Sequence, residues 1–496
     1  MLTWIASTPL LSSRKLAPAA VTLMFVLVAV AGGVVIGSGN FILMAVVLGA
    51  IVGGLLIGSV GIVVWIVLIG TLLVSGPLIM HFPEAKRLAW LFSMMGFLLA
   101  AAATLYIGSG RSLQRNEAPT FVTLSVVFIA FVILNAFIGE GATEEKITAM
   151  KRWLQYWGLL FIFAAAPFTS KQVARWVWAI LAIALVQLPL ALYQRIQLVP
   201  LRANMPDRVV PIDIVTGTLE ADMWGAGNNN TMAYLLIVAG VGLLSAYRDG
   251  FVSGRKLLLL LSILAIPLGL GETKMVLIFL PIAFLAAYGD MVRRRPGMFA
   301  LASAAAAGVL ALFIYIYVGL HGSDGRSLSI DERIRENLEY NVGSAGYYGG
   351  GSLNRSTVVP FWWRQHGLSE PVDTVFGHGI GASFYSQTDP GHVDRRYSGY
   401  AVGLTGLSTL LWDVGLFGTL LYLAILLGAG LAAIRLLARA SPGMDRAVCR
   451  ALVASVFLQL ALVPVADLMF VAPSTEVLQA LTLGLIAWRW RSRQPL

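Results

Sequence analysis

Of the 496 residues, 58% are hydrophobic and only 12% carry charge, against roughly 25% charged in a soluble globular chain. No soluble fold buries that much apolar surface, so soluble enzymes and carriers are excluded. A net charge of +10 would suit nucleic acid in a soluble chain; here it fits anchoring to anionic headgroups on the cytoplasmic side, and nucleic acid is not an expected partner. The single cysteine, Cys449, leaves neither an intrachain disulfide nor a thiolate metal site available.

In chain order, apolar stretches such as 19–36, 41–60, 62–80, 121–138 and 257–270 carry no ionisable side chain, and most approach the roughly 20 residues that a helix needs to cross a bilayer. The pattern predicts an all-α, polytopic membrane protein of about fourteen spans. They fall near 18–37, 40–59, 61–80, 89–107, 119–139, 153–168, 176–196, 230–247, 257–270, 275–290, 298–320, 404–434, 448–466 and 474–488. The first is longer than a secretory h-region and runs straight into the next, so it is expected to remain in the mature chain. Four regions follow: an N-terminal bundle at 1–193, a central region at 194–320 with an outer loop at 194–229, a large extracytoplasmic loop at 321–403 carrying short helices, and C-terminal helices at 404–496.

Orientation comes from the basic residues. With the N-terminus inside, inner segments hold nineteen of them, from Arg14 and Lys15 to Arg493, whereas short outer connectors hold nine, including Lys146, Lys151, Arg152 and Arg195. Positive charge favours the cytoplasmic face, and long loops count little. Both termini are therefore expected in the cytoplasm, in an inner membrane.

The polar material lies in the two long outer segments. Loops longer than about 15 residues are uncommon without a function. In the large loop, Ser327–Tyr340 has Leu328, Ile330, Ile334 and Leu338 near helical spacing, which predicts an amphipathic helix. Gly343–Gly351 breaks regular structure, Asn354–His366 (NRSTVVPFWWRQH) predicts a second helix, and Gly377–Phe384 (GHGIGASF) predicts a tight turn. No βαβ unit surrounds these glycines, so a dinucleotide fingerprint is not indicated. The turn either folds the loop back onto the bundle or lies beside a substrate phosphate.

Outer arginines cluster: Arg195, Arg202 and Arg208 in the first loop, and Arg326, Arg333, Arg335, Arg355, Arg364, Arg395 and Arg396 in the second. A guanidinium fork pairs bidentately with phosphate. The bland alternative is snorkelling, or pairing with Asp207, Asp331, Glu332, Glu336 and Asp394. Arg202, Arg208 and Arg355 are the leading functional candidates. Four of five histidines, His321, His366, His378 and His392, lie in the large loop. A neutral imidazole there can take a proton from a sugar hydroxyl, or be an ordinary solvated residue. They lack the H-E-x-x-H spacing, so no metal and no cofactor is expected. Ions at span boundaries are Glu272, Lys274, Asp413, Asp467 and Glu476; charges at such depth are functional or paired. Lys274 is placed to help neutralise an anionic substrate, while Asp413 and Asp467 read as structural.

The order of these features resembles the O-antigen ligase and Wzy-type polymerase superfamily of membrane glycosyltransferases. Thr216–Leu236 (TGTLEADMWGAGNNNTMAYLL), Gly271–Pro281 (GETKMVLIFLP), Arg355 followed by a helix and GHGIGASF, and Leu404–Leu423 (LTGLSTLLWDVGLFGTLLYL) are similar to its motifs. Two departures matter. Ligases have a His-Asn pair where this chain has Leu404 and Thr405, and the Arg-x10-Gly spacing of some polymerases occurs once, from Arg395 to Gly406.

The resemblance implies polymerisation of undecaprenyl-diphosphate-linked repeat units into exopolysaccharide, capsule or O-antigen at the periplasmic face. Lipid-linked donor and acceptor, membrane lipids and a chain-length regulator are the implied partners. Arg202, Arg208 and Arg355 would hold the diphosphate, with Lys274, Arg364 and Arg395 in support. His392 or Asp394 would be the base, with Glu220 and Asp222 as alternatives. A ligase of the same superfamily, a flippase or transporter of lipid-linked oligosaccharide, and an envelope assembly protein are the competing readings.

Overall fold

The computed structural model describes residues 59–109, 118–205, 210–221, 223, 228–271, 273–297, 353–386 and 390–492, with isolated positions between 300 and 343. The chain divides into two compact units, Met1–Val63 and Val64–Leu496. The first is described only at 59–63, and the account below concerns the second. The expected spans at 18–37, 40–59 and 298–320, like the amphipathic helix expected at Ser327–Tyr340, lie wholly or largely outside the described residues.

Every regular element among the described residues is helical. Among the described residues, five helices are long and apolar enough to cross a membrane: α1 (Val60–His81), α3 (Thr120–Ile138), α6 (Ser170–Ala203), α7 (Asn229–Arg248) and α13 (Gly406–Arg439). Between and around them run α2 (Lys86–Gly108), α4 (Thr143–Leu154), α5 (Trp157–Ala165), α8 (Gly254–Leu270) and α9 (Val276–Arg294). The large loop supplies α10 (Val358–Gln365), α11 (Pro371–Phe376) and α12 (His392–Arg396), and the C-terminal region α14 (Met444–Leu462), α15 (Leu468–Val471) and α16 (Pro473–Ser492). In the core α5 packs on α2 and α16, while α14 packs on α7, α9 and α13.

The expected span at 153–168 is instead two helices. α4 carries Glu144 and Glu145 in its first turn and Lys151 and Arg152 in its last, the order that the helix dipole favours. Trp153 near its end is buried, and the helix gives way at Gln155 and Tyr156 to the nine-residue apolar α5. Pro360 does not kink α10, because it is the third residue of that helix, where the backbone N–H has no intrahelical partner to lose.

Connectors gather into two groups. Near one end of the bundle the α7–α8 turn meets the α13–α14 turn, with Gly443 N–H donating to Asp249 Oδ2 at 2.9 Å; Trp488 Nε1 on α16 donates to Phe168 O at 3.0 Å. In the other group, Glu140 N–H donates to His378 O at 3.0 Å and Leu407 N–H to Val463 O at 2.7 Å, and Ser474 donates to Glu220. Small apolar cores pin the long loops there. Ile214, Val215 and Ala221 of the first loop pack with Met80, Ala191 and Leu198. Leu353, Val358, Trp362, Ala382, Val393 and Val402 of the second pack on Leu411 and Trp412 of α13.

Candidate functional site

Glutamine side chains on α6 hold the outer loop that enters the site. Gln187 and Gln194, both buried, lie seven residues apart, close to two helical turns, and so share one face. Gln194 Oε1 accepts from Thr216 N–H at 2.9 Å and Gly217 N–H at 2.7 Å, and its Nε2 donates to Gly217 O at 2.7 Å. Gln187 Oε1 accepts from Thr218 N–H at 2.8 Å. The N–H groups of Thr216, Gly217 and Thr218 and the carbonyl of Gly217 are thereby satisfied inside protein, the condition for irregular backbone beside apolar spans. Gly217 is required at its position: its φ is +67° and a Cβ there would lie 1.9 Å from Gln187 Oε1.

This clamp delivers Glu220 to the wall of a cavity of about 520 Å³, a size that suits a small-molecule or headgroup ligand. Its polar and aromatic lining also includes Thr71 and Ser75 of α1, Lys151, Arg152 and Gln155 from α4 and its end, Asn228, and Phe384 of the large loop. Glu220 Oε2 accepts from Asn228 Nδ2 at 3.2 Å and from Ser474 Oγ at 3.3 Å. Burial outweighs these neutral donors and raises its carboxyl to about 7. Lys151 is pushed down to about 8, first by burial and then by the adjacent Arg152. Arg152 lies 3.3 Å above the Phe384 ring centre, a cation–π contact that fixes the guanidinium. It also borders a smaller space lined by Asp413, Asp467 and Phe470.

The glycine turn holds a carboxylate of the chain itself. Gly377, Gly379 and Gly381 all have positive φ, and the N–H groups of Gly381 and Ser383 donate to Asp413 Oδ2 and Oδ1 at 2.7 and 2.8 Å. Asp413 thus pairs with backbone amides. Two residues on, Gly415 breaks α13 with φ +64°, and a Cβ there would lie 2.4 Å from Val375 O. Thr405, at the position of the missing ligase pair, caps α13 reciprocally with Ser408.

Of the residues singled out in the sequence, Glu220 reaches the large cavity. Among the described residues lining it, none of the other candidates occurs. Arg202 is buried and, with Lys274, acts on Asp213, whose carboxyl is raised by burial against their attraction. Arg355 Nε donates to Val465 O at 2.8 Å. Arg364 is exposed, with its Nε 3.4 Å from Pro360 O. His392 Nδ1 lies 2.6 Å from Glu145 Oε1, and Arg395 reaches the other oxygen of that carboxylate at 3.2 Å. Asp394 is buried, which raises its carboxyl to about 6 against a hydrogen bond from the Val402 backbone. Arg208, Asp222 and Glu272 lie outside the described residues.

Sequence reasoning missed Lys151, Arg152 and Glu145, counting the first two only as connector charges. The signal was present in TEEKITAMKRWL: acids first and bases last, with apolar positions between, mark an interfacial helix rather than a connector. No protein-family model and no curated protein matches this chain.

Proposed function

We propose that this protein is a multi-pass glycosyltransferase of the O-antigen ligase and Wzy-type superfamily, polymerising undecaprenyl-diphosphate-linked repeat units at the periplasmic face of a bacterial inner membrane. The observation that carries this reading is Glu220, with its carboxyl near neutrality, on the wall of a large cavity that Lys151 and Arg152 also line. A carboxylate of that pKa is suited to take the proton of an acceptor sugar hydroxyl at physiological pH. The hydroxyl oxygen attacks the anomeric carbon, the bond to the lipid diphosphate breaks, and the charge left on the diphosphate is stabilised by Lys151 and Arg152. Direct displacement inverts the anomeric configuration.

In this reading the base is Glu220 rather than His392 or Asp394. His392 is engaged with Glu145, and Asp394 lies in the packed base of the large loop. Arg355, bonded to the backbone next to Asp467, positions the α14–α15 connector. Fourteen spans, with both termini in the cytoplasm, fit the two groups of connectors: those rich in basic residues lie together, and those of the long loops lie together.

The test is the purified full chain in lipid nanodiscs supplied with undecaprenyl-diphosphate-linked repeats, followed by gel resolution of the glycan. Wild type should give a ladder of products, and Glu220→Gln, which keeps shape and hydrogen-bonding capacity, should lower the rate about 10²–10⁴-fold. Transfer of a whole glycan onto a non-repeat acceptor would favour the ligase reading. Vectorial movement of lipid-linked repeats without bond formation would replace the proposal with a transporter.

A further inference from the structure

The connector between α3 and α4 and the glycine turn of the large loop bring Glu140, His378 and His392 together, each with one ligand atom within 4.8 Å of those of the other two. Hydrogen bonding around the rings decides which nitrogens are available. His366 Nδ1 lies 3.1 Å from Trp362 O, and a carbonyl only accepts, so that nitrogen carries the proton. In the neutral ring His366 Nε2 is then bare. It lies 2.6 Å from His378 Nε2, which must donate, leaving the lone pair of His378 on Nδ1. His392 Nδ1 donates to Glu145 Oε1 at 2.6 Å. In the neutral ring its Nε2 then holds a lone pair, and that nitrogen is buried without a hydrogen-bond partner, an arrangement that is costly unless something occupies it.

Two imidazole lone pairs and an adjacent carboxylate are a donor set for a divalent transition ion, zinc above all. The surroundings have the form that such ions use: Glu145 orients and polarises His392 through the nitrogen that would not face the metal, and His366 does the same for His378. Glu145 is itself held by Arg395 at 3.2 Å. Glu140 is exposed, so its side chain can close the distance.

We infer that Glu140, His378 and His392 form a divalent transition-metal site of the zinc class that ties the large outer loop to the start of α4. The ion joins the Glu140–Ala142 connector to the loop at two points and so fixes α4, on which Lys151 and Arg152 lie. This inference is independent of the reaction proposed above, because its readout is metal binding.

The test uses the full chain purified without a histidine tag, stripped with chelator and titrated with Zn²⁺ alone, with metal content measured by mass spectrometry. Co²⁺ is then substituted to read coordination from its d–d absorption. One zinc per chain, and a tetrahedral or five-coordinate cobalt spectrum, are expected. Glu140→Gln, at an exposed position where folding is not at stake, should weaken binding at least tenfold, as should His378→Gln and His392→Gln. Glu145→Gln, which removes only the carboxylate behind His392, should weaken it about 10–100-fold. His81→Gln, a histidine elsewhere in the chain, should change nothing. Less than one zinc per ten chains in wild type overturns the proposal, as does stoichiometric binding that Glu140→Gln and His392→Gln both leave unchanged.

Discussion

The carboxylates around the α7–α8 and α13–α14 turns and Glu220 at the cavity are compensated in opposite ways. Around the α7–α8 and α13–α14 turns, cations meet carboxylates directly: Arg489 Nε and Nη2 donate to the two oxygens of Asp445 at 2.8 and 3.0 Å, Arg446 reaches Asp249 at 3.2 Å and Arg450 reaches Asp290 at 3.5 Å. At the cavity Glu220 receives neutral donors instead, Asn228 and Ser474, while Lys151 and Arg152 face the same space. Both arrangements put ionisable groups next to apolar spans, where each must be compensated. Compensation by direct pairing locks a structure; compensation by dipoles leaves a carboxyl near neutrality and able to exchange a proton. The direct pairs are therefore read as fastening, and Glu220 as chemistry.

The largest expected effect breaks the fastening. Arg489→Met leaves Asp445, 2% exposed, buried without its bidentate partner. Removing one member of such a pair costs about 3–5 kcal/mol, so the thermal unfolding midpoint in detergent should fall by several degrees. Turnover per folded molecule should stay within about twofold, since the pair is not on the cavity wall. An Arg489→Met protein that melts normally but is inactive would reverse the assignment of roles.

The pH dependence of turnover sharpens the other half. Glu220, raised to about 7, must be ionised to act as base, so kcat/KM should rise tenfold per unit below 7 and be down about 100-fold at pH 5. Lys151, lowered to about 8, must be protonated to bind phosphate, so the profile should fall again above 8. Lys151→Arg should remove that alkaline limb, because guanidinium stays charged. Stability carries the sign of a raised carboxyl: Glu220 keeps its proton in the folded state after the unfolded state has lost it. Folding is therefore weakened as pH rises from about 4.5 through 7 and levels off above. Glu220→Gln should flatten that fall, measured as melting temperature against pH.

Arg152→Ala comes next. Hydrogen bonds to a charged group contribute about 1.5–3 kcal/mol, so affinity for a lipid diphosphate should drop roughly 10–100-fold while Phe384 loses its cationic neighbour. Arg152→Lys keeps charge but not the planar fork and should recover part of the loss.

Apolar runs made five candidate spans among the described residues legible, because a period of 3.6 is not even needed where a helix is hydrophobic all round. α1, α3, α6, α7 and α13 stand where those runs predict. The α4–α5 break was hidden for the opposite reason: Gln155 and Tyr156 join an amphipathic helix to an apolar one, and a hydropathy window merges the two. Glu220 was visible as an acid in an outer loop, but the reason that it reaches the cavity was not. It depends on Gln187 and Gln194 capturing the backbone around Gly217, and nothing local to TGTLEA names partners some thirty residues upstream. The outer arginines are ambiguous in sequence for a physical reason. A guanidinium can equally serve a substrate or the protein's own carbonyls, and Arg355 is bonded to Val465 O.

Arg364 isolates that last distinction with the smallest expected effect. By sequence it belongs with the diphosphate-binding set; in the structure it is exposed on α10, with its Nε only 3.4 Å from Pro360 O of its own helix. Surface substitutions away from buried networks stay within about 0.5 kcal/mol. Arg364→Ala should therefore leave both melting temperature and product ladder unchanged, with rate and KM within about twofold of wild type. A tenfold rise in KM for the lipid-linked donor at unchanged stability would mean that the diphosphate is held by the exposed face of the large loop. In that case Lys151 and Arg152 serve α4 rather than the substrate, and the contrast between the fastened carboxylates and the reactive one loses its cationic half.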